Sequence, residues 1–354
     1  MPPLPEKIRI KFLGKFRPNM DGEDWLNRFP GRLPVWGNCH FTFDRHCREY
    51  DWLVVYDDLP SVAGERYTLW EESLGCPRQN TLLITTEPST IKVYGSRFLR
   101  QFGHVLTTQE PWAVGHHPGA IRAQPGLIWF YAFGEPRGTY DAIKNHLPLT
   151  KSREISTVCS DKKQRHTLHR QRYHFVMALK ARIPELEIYG HGVRFVKDKA
   201  DALDPFKYHL AIENFVGLHH WTEKLADPFL GACMPVYYGC PNAEEYFPPE
   251  SFLRIDVADA DAAAETIRRA ICDRLYEKNL PAILESRRRV VQEYAPVAWI
   301  CRVVNAHHSP AASPPSAGES ILSRHLFRRR SWLNGISFAA EKSAVAIRHR
   351  FGPR

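Results

Sequence analysis

The sequence predicts an α/β chain of two domains, each a parallel sheet with helices between its strands. Three observations point there. Short apolar runs recur along the chain and stop at turn residues, as strands buried on both faces do. Longer stretches between some of them place apolar residues at helical spacing. The chain has 354 residues, more than one hydrophobic core of roughly 250–300 residues accommodates.

The strand-like runs are LVVYDD (53–58), TLLITTEP (81–88), LIWFYAF (127–133), ISTVCS (155–160), LEIYG (186–190), HLAIEN (209–214), MPVYYG (234–239) and SFLRID (251–256). The stretch from Arg165 to Ile183 carries Phe175, Met177, Leu179 and Ile183, and reads as a helix feeding the strand that stops at Gly190. From Asp259 to Leu275, Ala263, Ile267, Ile271 and Leu275 stand four apart, the spacing of a buried helical stripe. The expected organisation is an N-terminal α/β domain over 1–149 and a Rossmann-like domain over 150–305. A Pro/Ser/Ala-rich linker follows over 306–320, and a basic amphipathic tail over 321–354.

Composition narrows the function classes. The hydrophobic share of 44% and charged share of 25% are those of an ordinary globular protein. No run approaches the ~18 apolar residues of a membrane span. The opening MPPLPEKIRIKFLG puts charges and prolines where a secretory leader carries its apolar stretch, so a cytoplasmic location is expected. The eight cysteines are scattered without a C-x-x-C pair, which fits free thiols better than disulfides or a metal cluster. The net charge of +9 is uneven: from Gly318 onward eight Lys or Arg face only Glu319 and Glu341, so +6 lies in the tail. With Leu322, Leu326, Leu333, Ile336, Ala340, Ala344 and Ile347 interleaved, that tail suits an anionic membrane surface, giving peripheral association with the inner face of the membrane. No RNA-binding signature accompanies the charge, and nucleic acid is not an expected partner.

The densest polar text lies between His209 and Gly239. There a strand ends in Glu213 and Asn214, and Thr222 takes an N-cap position with Glu223 and Lys224 in the first helical turn. Open α/β sheets bind ligands beyond the carboxyl ends of their strands, and a helix N-terminus favours anions, so this pattern reads as a phosphate site.

These residues also carry a family resemblance. Glu213-Asn214, then Glu223-Lys224, then PVYYG (235–239) and PPESFLRID (248–256) resemble the F-E-N-S, D-Y-V-T-E-K, P-V-Y-x-G and P-x-S-F-I motifs of the α-1,3/1,4-fucosyltransferases, glycosyltransferase family 10, bacterial type. Upstream, ISTVCS, Arg172-Tyr173 with Val176 and Leu179, and IYG (188–190) are similar to that family's S-x-x-x-S, R-x-x-F-V-x-x-L and Y-G segment. The resemblance covers roughly residues 150–257. It implies a GT-B fold of two facing Rossmann-like domains with a cleft between them, and inverting transfer of fucose from GDP-fucose. It further implies phosphate contacts from Arg172 and Lys224, and a nucleotide-sugar pocket lined by Glu213, Asn214, Glu223 and the residue at the motif tyrosine, here His220. The sequence departs from the family where His219-His220-Trp221 replaces Asp-Tyr-Val and Phe215 replaces a hydroxyl residue.

An inverting transfer needs a base for the acceptor hydroxyl. The run TLLITT ends at Glu87-Pro88, loosely similar to an acidic post-strand position of the family, so Glu87 is the expected catalytic base, with Glu110 and the Asp57-Asp58 pair as competitors. Asp259-Ala260-Asp261 matches a metal-binding D-x-D but opens a helix, where acidic residues serve as caps; no metal or other cofactor is expected. The expected acceptor is an oligosaccharide or lipid-linked glycan, such as lipopolysaccharide. The alternatives are transfer from another nucleotide sugar, or a non-catalytic glycan- or nucleic-acid-binding protein.

Overall fold

The computed structural model describes residues 6–15, 22–61, 64–133, 137–159, 169–190, 192–309 and 318–351. The chain forms two compact units, Met1–Gly126 with Pro296–Arg354, and Leu127–Ala295.

Unit 1 begins with β1 (Ile8–Gly14) and α1 (Gly22–Leu26), followed by β2 (Val35–Trp36), β3 (Cys39–Thr42), β4 (Trp52–Tyr56), β5 (Glu71–Ser73) and β6 (Thr81–Ile84). Then come α2 (Ser96–Leu99), β7 (His104–Thr107) and β8 (Ala120–Arg122). The sheet order is β2-β3-β1-β4-β6-β7-β8, parallel except that β2 runs antiparallel to β3. β1 is a central strand that the apolar-run reading missed, because Arg9 and Lys11 interrupt its text. Lys11 is nonetheless fully buried. Its ammonium donates to Glu72 Oε1 at 2.7 Å and to the carbonyls of Arg45 and Cys47. Three acceptors, one of them a charge, offset its desolvation.

Unit 2 holds α3 (Tyr140–Asn145), β9 (Arg153–Val158), α4 (His169–Arg182), β10 (Glu187–Tyr189), β11 (Phe206–Ile212), α5 (Glu223–Leu230), β12 (Met234–Tyr238), β13 (Leu253–Arg254), α6 (Ala260–Cys272) and α7 (Leu275–Gln292). Its sheet is wholly parallel in the order β10-β9-β11-β12-β13. On α6 the buried residues are Ala263, Ala264, Ile267 and Ala270, so the stripe is rotated from the expected 263/267/271/275 line; Leu275 already begins α7. The run 127–133 is not a strand. Its backbone is held by a side chain instead: Phe130 N–H donates to the buried Asp227 carboxylate at 3.1 Å, and Tyr131 O–H to Asp204 at 2.7 Å.

The domain limits therefore differ from 1–149 and 150–305. The chain enters unit 2 at Leu127 and leaves it at Ala295, and α8 (Pro296–His307) packs in unit 1. There Asn305 and Asn38 exchange side-chain hydrogen bonds of 2.9 and 3.0 Å, and Trp52 donates to His308 at 3.0 Å. The expected linker lies largely outside the described residues. Beyond it, β14 (Ser320–Leu322) pairs antiparallel with β5, and α9 (Arg324–Arg330) and α10 (Trp332–Phe351) follow. This segment is not the detached tail of the sequence reading. Ile321 is buried in the same apolar cluster as Leu53, Tyr94 and Phe98, and Arg78 pairs with Glu319 at 2.6 Å. Glu341 on α10 accepts from Ser96 N at 2.6 Å and Ser96 Oγ at 2.7 Å, supplying the start of α2 with a cap that its own Gly95 cannot. Among the described residues no helix is long and apolar enough to cross a membrane. None of the eight cysteines forms a disulfide.

Candidate nucleotide-sugar site

In unit 2 the strand order reverses between β9, which has β10 on one flank, and β11. Ligands of doubly wound sheets bind outside the carboxyl ends of the strands at such a point. Glu213 and Asn214 follow β11, and Arg172 projects from α4, the crossover that leaves β9. Arg172 is buried and donates through Nη1 to Asn214 Oδ1 at 3.0 Å, while its Nε is buried with no hydrogen-bond partner among the described residues. A buried guanidinium with an unused donor is equipped for a phosphate oxygen.

The loop from Phe215 to Trp221 delivers the chain to α5. Its turn at His219 adopts a positive φ of 63° and is held by Asn242, which accepts from His219 N at 2.7 Å. Thr222 then caps α5: its Oγ1 accepts from Lys224 N at 3.3 Å. Glu213 secures that cap from behind, accepting from Thr222 N at 2.8 Å and from Thr222 Oγ1 at 2.7 Å. Glu213 itself is fully buried and braces the cap from within the fold. Gly239 belongs to the same construction, since a Cβ there would stand 2.3 Å from Glu213 Cγ. This close approach explains the glycine of PVYYG.

Lys224 Nζ lies 2.7 Å from Glu223 Oε1 and 3.9 Å from Glu213 Oε2. Burial opposes ionisation of Glu223, but Lys224 and Lys199 outweigh it and lower the carboxyl to about 2. Lys224 is raised despite its own burial, by Glu223 and Glu213. Both groups are thus charged at neutral pH. His220 behaves oppositely: burial, reinforced by Lys224, lowers it to about 4, so it offers a neutral N–H and no charge. Arg172, Asn214, Glu223 and Lys224 therefore gather at one end of the sheet, with Glu213 and His220 packed behind or beside them. Pro228, inside α5, stands three residues before the helix ends at Gly231.

Sequence reasoning missed Asp227 and Lys199. Asp227 is fully buried on α5, pairs with Lys199 at 2.6 Å and fixes Phe130. Its signal was faint: a lone acid in an apolar helix face. Tyr237 packs edge-on against Phe252, and its hydroxyl oxygen accepts from Cys240 N at 2.9 Å. Asp259 and Asp261 are taken by structure, the first capping α6 through Asp261 N and Ala262 N, the second pairing with Arg182 at 2.6 Å.

Glu87 lies in unit 1, exposed just beyond β6, and lines a cavity of about 300 Å³ with Lys15 and Asp58. Its competitors are engaged elsewhere. Asp58 accepts from Leu59 N and Arg324 N through one oxygen, Glu110 accepts from Ser89 at 2.6 Å, and Asp57 accepts from Tyr94, Thr86 and Lys92.

Residues 148–279 match the family model described as Glycosyltransferase family 10 (fucosyltransferase) C-term. In this segment the chain is similar to the C-terminal part of glycosyltransferase family 10. The matched span contains Arg172, Glu213, Asn214, His220, Glu223 and Lys224, all in unit 2. The alpha-(1,3)-fucosyltransferase FucT of Helicobacter pylori is 34% identical over 92 residues, which are 24% of this chain and 19% of that protein. The chain thus matches about a fifth of that relative's length. Among solved structures, an alpha1,3-fucosyltransferase with GDP aligns at 16% identity and a TM-score of 0.47, covering 82% of this chain and 92% of the other. A second, an alpha1,3-fucosyltransferase with GDP-fucose, aligns at 16% identity and a TM-score of 0.45 over 78% of this chain and 82% of the other. Each unit is by itself an α/β sheet of mainly parallel strands, as the sequence predicts.

Proposed function

We propose that this chain is an inverting fucosyltransferase that takes fucose, or a closely related sugar, from a GDP donor to a hydroxyl of a glycan. The observation that carries this reading is the buried Arg172 held on Asn214 with Nε unused, beside the Lys224 end of α5, at the strand-order reversal of unit 2. In this reading Arg172 and Lys224 hold the diphosphate, and the positive end of α5 stabilises the charge that builds on departing GDP. Asn214 fixes the guanidinium plane, and Glu223 accepts from sugar hydroxyls. Glu87 removes the proton from the acceptor hydroxyl as its oxygen bonds to the anomeric carbon and the bond to the diphosphate breaks. Support for Glu87 comes from its exposure and its place on the cavity wall just beyond β6.

A panel of nucleotide sugars tests the donor. GDP-fucose and GDP should raise the melting temperature, and GDP-fucose should release GDP in the presence of acceptor glycans. Stabilisation by UDP sugars alone would overturn the GDP reading in favour of another donor class.

The reading extends to a membrane-facing enzyme working on a cell-surface glycan such as lipopolysaccharide. Supporting it, α10 turns Glu341 and Val345 toward unit 1 and exposes Trp332, Leu333, Ile336, Ile347 and Phe351 along one face, with Arg329, Arg330, Lys342, Arg348 and Arg350 nearby. Ile336→Glu and Ile347→Glu together should abolish sedimentation with anionic vesicles; retained binding would overturn the extension.

A further inference from the structure

The strand order of unit 1 also reverses, between β1, flanked by β3, and β4. The cavity lined by Glu87 opens at that reversal, with Lys15 just after β1 and Asp58 just after β4. Its remaining wall comes from the far end of the chain. Arg324, His325 and Arg328 of α9 line it together with Lys92. Four permanent cations thus face two carboxylates, Glu87 and Asp58, the latter raised to about 6 by burial.

Arg324 lies over the Tyr94 ring at 5.3 Å, and its backbone N–H is bound by Asp58. Its Nε and Nη1 are buried with no hydrogen-bond partner among the described residues. Arg328 sends Nε to the Arg324 carbonyl at 3.1 Å and lies over Phe338 at 4.5 Å. Two guanidinium groups are therefore fixed by rings and backbone at a cavity wall, one of them with unused donors. A desolvated guanidinium gains most from an anion that can take two parallel N–H bonds.

We propose that this cavity is an acceptor subsite for an acidic glycan, in which Arg324, Arg328 and Lys15 hold a carboxylate or phosphate carried by the acceptor sugar. It deepens, and rests on, the glycosyl-transfer reading above. The C-terminal segment then has a part in substrate selection: by docking on β5 and α2 it completes the acceptor site.

The test titrates the full chain with methyl glucuronide, glucose 6-phosphate, neutral methyl glucoside and inorganic phosphate, for wild type, Lys15→Ala and Arg328→Ala. The acidic sugars should bind wild type at least about tenfold more tightly than methyl glucoside, the difference made by one charge-assisted contact. Each variant should remove that preference. Lys15 lies exposed at the end of β1, so its variant remains informative even where loss of Arg328 loosens α9. Equal binding of acidic and neutral sugars, or an undiminished preference in both variants, overturns the proposal. Inorganic phosphate binding as tightly as glucose 6-phosphate overturns it too, because the sugar is then not recognised. Transfer assays separate the two readings. With GDP-fucose, neutral disaccharides and their uronic-acid counterparts, the KM for the acidic acceptor should rise about tenfold in each variant. If the acidic sugars bind as expected but no fucose moves to any acceptor, the fucosyl reading fails and the anion subsite stands.

Discussion

In the proposed reading Arg172 and Lys224 divide the work of holding a diphosphate, yet their removal has different costs. Arg172 bonds to Asn214 and keeps Nε unused, so Arg172→Ala should weaken GDP binding by about 1.5–3 kcal/mol in titration calorimetry with a smaller change in melting temperature. Arg172→Lys should recover little, because a point charge cannot reproduce the planar fork. Lys224→Ala is expected to lose both GDP affinity and stability, since it strips the cation from the buried Glu213 and from Glu223. Equal GDP affinity in all three would remove the phosphate assignment. His220 carries a pH prediction. Its folded value, about 4, lies below the ordinary 6.5, so the unfolded chain binds more protons between those limits. The stability it contributes is full above pH 6.5 and is lost as pH falls toward 4, at up to about 1.4 kcal/mol per pH unit. His220→Gln should flatten denaturation midpoints across that window; an unchanged pH slope would show that the imidazole titrates alike in the folded and unfolded chain.

Among the elements, α6 and α2 each take their cap from a single acid. Asp259 caps α6, and Asp259→Ala should cost about 1 kcal/mol in urea unfolding while leaving sugar transfer unchanged in chelator and in added divalent cation. A loss of transfer out of proportion to the stability change would restore the metal reading of the D-x-D text. Glu341 caps α2 from a distance of 245 residues in sequence. Glu341→Ala should lower stability by about 0.5–2 kcal/mol and raise proteolytic cleavage within α10, read by mass spectrometry; protection equal to wild type would show that apolar packing alone docks the helix. Neither cap depends on a local surprise. Asp259 precedes its helix in the sequence and was legible, whereas Glu341 caps a helix that no window of sequence connects to it.

At the scale of the molecule, the C-terminal segment is a structural part of unit 1. Deleting residues 318–354 should therefore lower the melting temperature of the chain rather than leave it intact, because it uncovers the core face around Ile321 and removes the Glu319 partner of Arg78. A truncated chain with unchanged calorimetry would return the segment to the status of a detached tail. GDP at about 100 times its Kd should add about 2.7 kcal/mol of stability, and this gain should persist in the Lys15→Ala variant of the other unit. The sequence by itself determined the α/β class, most of the strands of unit 2 and the clustering of the candidate donor-site residues there, because that information is local: apolar runs ending at polar residues, a cap before a helix, a proline-to-glycine strand. It could not show β1, whose Lys11 reads as a surface residue until Glu72 and two carbonyls surround it, nor the non-strand course of 127–133, whose apolar text is bound instead by the Asp227 carboxylate. It placed Glu213 among the ligand contacts, and only the fold put that carboxylate behind Thr222. The tertiary structure alone decided that the chain returns to unit 1 at Pro296, and that arginines near its end stand at the cavity beside Glu87. The physical reason is common to all of these. Burial, ion pairing and sheet edges are satisfied by partners hundreds of residues away, and pairing at that range leaves no periodic mark in the sequence that joins them.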